Sequence, residues 1–182
     1  MAAKGKWAQG IAPREFCWVI QDKLAVCERP GGHGPNHRRV RRQEEIIWIR
    51  EQGFNKVISL IPTPHNLHNY DELGVSWIHR PFGPLAEPDE FMAQFFPELK
   101  KWLAADGSKL LMHGEEISDR MAGLLGGYLL WTGMVPAAPQ VISIIEQILK
   151  KQMGAIGRAI VDAASRLPQP TPAGGERVQA QG

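Results

Sequence analysis

The run FNKVISLI, residues 54–61, constrains this chain more than any other stretch. It is β-branched and nearly continuous in apolar side chains. A strand with one wet face would alternate, whereas a continuous run suits a central strand covered on both faces. KLLMH, residues 109–113, has the same character and follows the turn signal Asp106-Gly107. VSWIHRPF, residues 75–82, alternates and then meets Pro81, so a strand is expected to end there. FCWVI (16–20) and KLAVC (23–27), separated by Gln21 and Asp22, read as a hairpin.

Between these runs the period changes to that of a helix. RRQEEIIWIREQG (41–53) predicts a helix stopped by Gly53, with Arg41 and Glu45 placed to pair on its exposed face. Phe91, Phe95, Leu99 and Trp102 recur at helical spacing, with Met92 and Leu103 beside them. That helix is expected to begin near Pro88 and to be kinked or split by Pro97. Helices are also predicted over 120–133, 139–154 and 155–165. Gly123, Gly126 and Gly127 in the first of these each cost about 1 kcal/mol against alanine, which suggests close approach to neighbouring elements. ERPGGHGPNHRR (28–39) and PTPHNLHNYDELG (62–74) read as loops, the second with a helical turn. Strands alternating with helices predict an α/β domain with a central, mainly parallel sheet flanked by helices. The expected organisation is a loose lead-in over 1–14, the domain over 15–166, and a disordered Pro/Gly/Gln-rich tail over 167–182.

The 182 residues suffice for one domain with a real core, and the net charge of +2 excludes a molecule that is polycationic as a whole. Cys17 and Cys27 are too sparse for a disulfide scaffold. No run serves as a signal peptide or a membrane span, so a reduced, cytoplasmic protein without a membrane partner is expected.

The chemistry concentrates where KLLMH ends. A strand–loop–helix turn points backbone amides into a concave nest and aims a helix N-terminus at the same place, which favours an anion. The turn reads His113-Gly114-Glu115-Glu116-Ile117-Ser118-Asp119-Arg120, and an arginine at the helix start can grip a phosphate through two parallel hydrogen bonds. These residues form the candidate binding set. In α/β sheets ligands bind beyond the carboxyl ends of the strands, and this loop occupies such a place.

With these residues in view, the chain resembles the cysteine-dependent protein tyrosine phosphatases, especially the compact dual-specificity branch, across roughly residues 16–162. That family carries H-C-x-x-G-x-x-R between its last central strand and the next helix. His113 and Arg120 match at the family's spacing. FCWVIQDKLAVCERPG is similar to the family's opening hairpin, GFNKVISLIP to its central strand, and GYLLWTGMVPAAPQVISIIEQI to its closing helices. The resemblance implies that His113 orients the loop by hydrogen bonding. The family's nucleophilic cysteine falls on Gly114, which cannot attack phosphorus. Its loop glycine falls on Ile117, and the hydroxyl residue after the arginine falls on Met121. Its general acid falls near Gly83 or Pro84, with Glu87 and Asp89 several residues later.

Three readings follow. The first is a catalytically dead, phosphatase-like binding or regulatory module, a pseudophosphatase whose partner is a phosphorylated protein or a small anionic molecule. The second is a repurposed enzyme acting on a small molecule through Arg120, Asp119, Glu115, Glu116, His79 or Asp89. The third is a phosphatase carrying a Cys-to-Gly trap at Gly114. Arg120 is expected to be neutralised by Glu115, Glu116 or Asp119.

Other features weigh less. Arg38, Arg39, Arg41 and Arg42 form a basic cluster beside a Gly-rich loop, but Glu44 and Glu45 answer it and no aromatic platform accompanies it. A nucleic-acid partner is therefore not expected. His33 with His37, and His65 with His68, have metal-ligand spacing but sit in Gly/Pro/Asn-rich loops, so neither a metal nor a cofactor is expected. Cys27 reads as a small strand-end hydrophobe. His79 ends a strand and either lines the pocket or bonds a neighbouring carbonyl.

Overall fold

The computed structural model describes residues 9–33, 35 and 37–170. The hairpin opens the fold: β1 (Cys17–Ile20) pairs antiparallel with β2 (Leu24–Cys27). Then come α1 (Arg39–Glu51), β3 (Lys56–Ser59), α2 (His68–Glu72), β4 (Trp77–His79), α3 (Pro88–Ala104) and β5 (Leu110–His113). Three helices close the chain: α4 (Asp119–Trp131), α5 (Ala138–Leu149) and α6 (Ala155–Ser165). The sheet order is β1-β2-β5-β3-β4, with every pairing except β1–β2 parallel. The expected α/β architecture with a mainly parallel sheet is present.

Alternation along each strand divides the core in two. Leu24, Val26, Ile58, Leu110 and Met112 face α3–α6. Ala25, Cys27, Val57 and Leu111 face the opposite way, against Ile46 and Ile49 of α1 and Tyr70 of α2. α4 is buried from Met121 through Trp131. Its glycines allow that burial: a Cβ on Gly123 would stand 2.6 Å from the Gly157 carbonyl oxygen, so α6 crosses α4 almost backbone to backbone.

Two expectations are corrected. Pro97 neither splits nor ends α3, which runs unbroken through it. Pro97 and Ala93 both lie on the exposed side of α3, so the carbonyl that loses its amide partner faces water. The Arg41–Glu45 pair forms (2.6 Å), but Glu45 is 1% exposed rather than on an open face. There its other oxygen accepts the Gly31 amide at 2.7 Å, tying the loop after β2 to α1. Of the expected lead-in, Gly10 and Ile11 lie against α1, where the Ile11 amide donates to the Glu44 carbonyl (3.3 Å), and the Arg14 carbonyl accepts the Glu28 amide (3.0 Å). Of the expected tail, the Pro168 carbonyl accepts the Trp131 indole N–H at 2.8 Å, while residues 171–182 and 1–8 lie outside the described residues.

The parallel register sets the site. Cys27, His113, Ser59 and His79 form one row across the carboxyl edge of the sheet. The loops following β2, β5, β3 and β4 therefore leave the sheet side by side.

Candidate functional site

His113 sits at the head of the loop and is 1% exposed. Its side chain points to the α1/α2 side, where the Tyr70 hydroxyl lies 3.1 Å from Nε2, while Nδ1 lies 3.2 Å from the Gly114 carbonyl. A carbonyl only accepts, so Nδ1 carries the proton and Tyr70 donates to Nε2. Burial, above all, pushes the His113 pKa down to about 4, with the Gly114 hydrogen bond opposing. A neutral imidazole in this frame braces the turn.

Gly114 follows without the left-handed backbone that would demand glycine. A Cβ built on it would lie 3.1 Å from the Glu116 carbonyl oxygen and 3.2 Å from Cε of Met121. A side chain at 114 would therefore fit only if Met121 and the Glu116 carbonyl gave way by a few tenths of an ångström. Ile117, at the position the family fills with glycine, is 7% exposed and belongs to the core against α3–α6. It needs no positive φ. The Ser118 amide donates to the Glu116 carbonyl (3.0 Å), and the Ser118 hydroxyl caps α4 by accepting the Met121 amide (3.1 Å). The amides of Glu115, Glu116 and Ile117 have no acceptor among the described residues.

The acids do not neutralise Arg120, which corrects the expected internal salt bridge. Glu115 takes Arg29 instead, with both carboxylate oxygens 3.0 Å from Nη1. Asp119 accepts the Gly154 and Gly157 amides at the start of α6, each at 2.7 Å, where a carboxylate also complements the helix dipole. Arg120 lies with its guanidinium 4.5 Å from the Phe82 ring centroid and donates from Nη2 to the Ala86 carbonyl at 2.8 Å. Its Nε is buried without a partner. Two loops, one after β5 and one after β4, therefore set its direction.

Beside Arg120 is a cavity of about 190 Å³ walled by Leu60, Ile61, Phe82, Pro84 and Met121, with Gly114, Glu115, Glu116 and Ser118 at its base. The walls are mainly apolar, and the polar groups converge from the 114–120 loop. Gly83 and Pro84 line it, so the acid-bearing position of the resemblance is at the pocket but carries no acid. Asp89 stands exposed in the first turn of α3 and does not line it. Nor does His79, whose Nε2 donates to the Ile61 carbonyl at 2.7 Å.

Neither cysteine lines the pocket. Burial holds the Cys27 thiol well above the usual range, with Glu45 adding to it, and burial likewise raises Cys17. The basic cluster is not one surface: Arg38 and Arg39 are exposed, Arg41 is held by Glu45, and Arg42 is 8% exposed beneath the loop after β2. The paired histidines separate as well, His33 meeting Glu28 (3.3 Å) and His37 meeting Arg42 (3.0 Å). Among the described residues no group of three or more His, Cys, Asp and Glu side chains gathers as a metal site would require, and no helix is long and apolar enough to cross a membrane.

Sequence reasoning missed Arg29, Phe82, Tyr70 and the Ala86 carbonyl. Phe82 and Ala86 had a signal in the loop after β4, whereas the Arg29–Glu115 pair spans 86 positions and had none.

The sheet order, the row of strand ends and the strand–loop–helix with an arginine on its first turn define an architecture already known in solved structures. The chain has the fold of the dual-specificity and tyrosine phosphatases. One such structure is kinase-associated phosphatase with its catalytic cysteine replaced by serine: 17% identity, 86% of this chain and 99% of that one covered, TM-score 0.69. The core domain of the PP-IP phosphatase Siw14 from S. cerevisiae shares 13% identity over 84% of this chain and 86% of its own, TM-score 0.61. The human tyrosine phosphatase-like serine/threonine/tyrosine-interacting protein shares 14% over 83% and 93%, TM-score 0.60. No protein-family model and no curated protein matches the sequence.

Proposed function

We propose that this chain is a phosphatase-fold module that binds an anionic group at Arg120 and performs no cysteinyl-phosphate chemistry. The observation that carries it is Gly114 with its surroundings: the nucleophile's place holds no side chain, and Met121 and the Glu116 carbonyl stand close beside it. The signature loop is, on this reading, degenerate. Every alternative nucleophile or acid nearby except Glu116 is engaged elsewhere: Ser118 as a cap, Glu115 on Arg29, Asp119 on α6. What remains for a ligand is the Arg120 guanidinium and the amides of Glu115 and Glu116, donors suited to a phosphoryl or carboxylate group. The cavity is smaller than the ~300 Å³ at which ordinary small-molecule sites begin, so it fits one side-chain head group better than a whole metabolite. A phosphorylated protein is therefore the favoured partner, and a small anion the second.

Thermal unfolding with inorganic phosphate and with phosphotyrosine and phosphoserine peptides tests this. Ligand at a hundredfold its Kd stabilises by about 2.7 kcal/mol, a shift of several degrees that Arg120→Met is expected to remove. Neither the natural chain nor Gly114→Cys is expected to release phosphate from an aryl phosphoester, because Ile117, Met121 and the acid-free loop remain. Hydrolysis by the natural chain that disappears in Arg120→Met would overturn the proposal. Vigorous turnover by Gly114→Cys would favour an active phosphatase interrupted at one position.

A further inference from the structure

Behind the loop, on the α1/α2 side, lies a buried charge without a counter-charge. Arg42 is 8% exposed, and its Nε is inaccessible and has no partner. Its Nη1 meets only the His37 ring, at 3.0 Å. No described carboxylate pairs with it; Glu72 is near enough to be felt but is bonded by the Asn69 amide at 3.0 Å. Arg29, 12% exposed in its side chain, is the next guanidinium, and it spends Glu115 on itself. Two guanidiniums therefore share one carboxylate, and only one of them touches it. Arginine does not escape burial by losing its proton. A largely buried charge without a counter-charge carries a desolvation cost that a bound anion would offset.

Between these groups is a small, half-open hollow of about 10 Å³, walled by Arg29, Arg42, His65, Tyr70 and His113 among others. A volume of that size admits about one water-sized sphere. It is too small for phosphate or for a side-chain carboxylate. We propose that this void is a binding site for a small monoanion, chloride in the first place, held by Arg42 and Arg29. The Tyr70 hydroxyl spends its proton on His113, so it offers the void no second donor. The attraction must come from the guanidiniums. Because Arg29 also holds Glu115, the ion would neutralise the platform on which the 114–118 loop rests.

Two measurements on the full chain decide the matter. A crystal grown or soaked in bromide, measured at the bromine edge, is expected to show an anomalous peak in contact with Arg42. In solution, exchanging chloride for gluconate at constant ionic strength is expected to lower the melting temperature by roughly 2–5 °C. Arg42→Met, which removes the charge and keeps the volume, is expected to abolish the difference. Should that variant not fold, the two wild-type measurements still decide. A water in the void under high bromide would overturn the proposal. So would equal melting in the two salts; a bromide peak without a chloride-dependent melting temperature would mark an adventitious ion only. Arg120→Met is expected to keep the chloride response, which separates this site from the pocket on the other side of the loop.

Discussion

The side chain of His113 shows how burial, rather than proximity to a ligand, can fix a residue's state. Held by Tyr70 and the Gly114 carbonyl, it stays neutral down to a pKa of about 4. Its unfolded pKa is about 6.5, so between those values the unfolded chain binds a proton that the folded chain does not. Stability contributed by His113 is complete above pH 6.5 and is lost as pH falls towards 4. The loss is roughly 3 kcal/mol by linkage. Urea unfolding at pH 7 and pH 4.5 is expected to reveal it, and His113→Gln is expected to flatten that part of the profile. A wild-type stability independent of pH in this window would contradict the placement. Gly114, one position on, could be read in the sequence as a missing nucleophile. That Met121 stands close beside it could not, because a cap at Ser118 and the winding of α4 bring those atoms together.

Among the elements, α4 carries the most constraint. It begins with Arg120 at the pocket and continues into the core with glycines at its crossing with α6. A methyl at Gly123 would meet the Gly157 carbonyl oxygen at 2.6 Å and the Gly157 Cα at 2.8 Å, neither of which yields as a flexible side chain does. Gly123→Ala is therefore expected to destabilise by up to about 2 kcal/mol: overpacking of about 1–3 kcal/mol partly offset by alanine's ~1 kcal/mol helix preference. Denaturant titration measures this, and a stabilised variant would show that the crossing relaxes freely. The sequence declared the close approach through three glycines but not its partner. α3 gave the opposite lesson, since Pro97 is a breaker by its chemistry and is tolerated by its position on the wet side. Apolar periodicity marked both helices because burial imposes it. The pairings of Glu115 and Asp119 left no such trace, because their partners lie 86 and 35–38 positions away.

For the molecule as a whole, the sheet order predicts where stability resides. β5 lies between β2 and β3 with helices on both faces, whereas β1 and β4 are edges. Amides of Leu111 and Met112 are expected to exchange hydrogen only through global unfolding, and those of β1 and β4 through smaller openings. Native-state exchange in low urea checks this; faster exchange in β5 than in β1 would be inconsistent with the order. The same arrangement explains why fold was more legible than site. The strand runs and their helices are local signals, whereas the pocket is assembled from three loops, after β3, β4 and β5, that share only a row of strand ends.

The carboxylate of Asp119 fastens the first turn of α4 to the amides of Gly154 and Gly157. The aim of Arg120 is consequently inherited in part from a stretch of chain that never touches a ligand. On the proposed reading, lengthening or shortening the connector between α5 and α6 by a single residue would retune recognition from a distance, felt as a change of taste rather than a loss of fold.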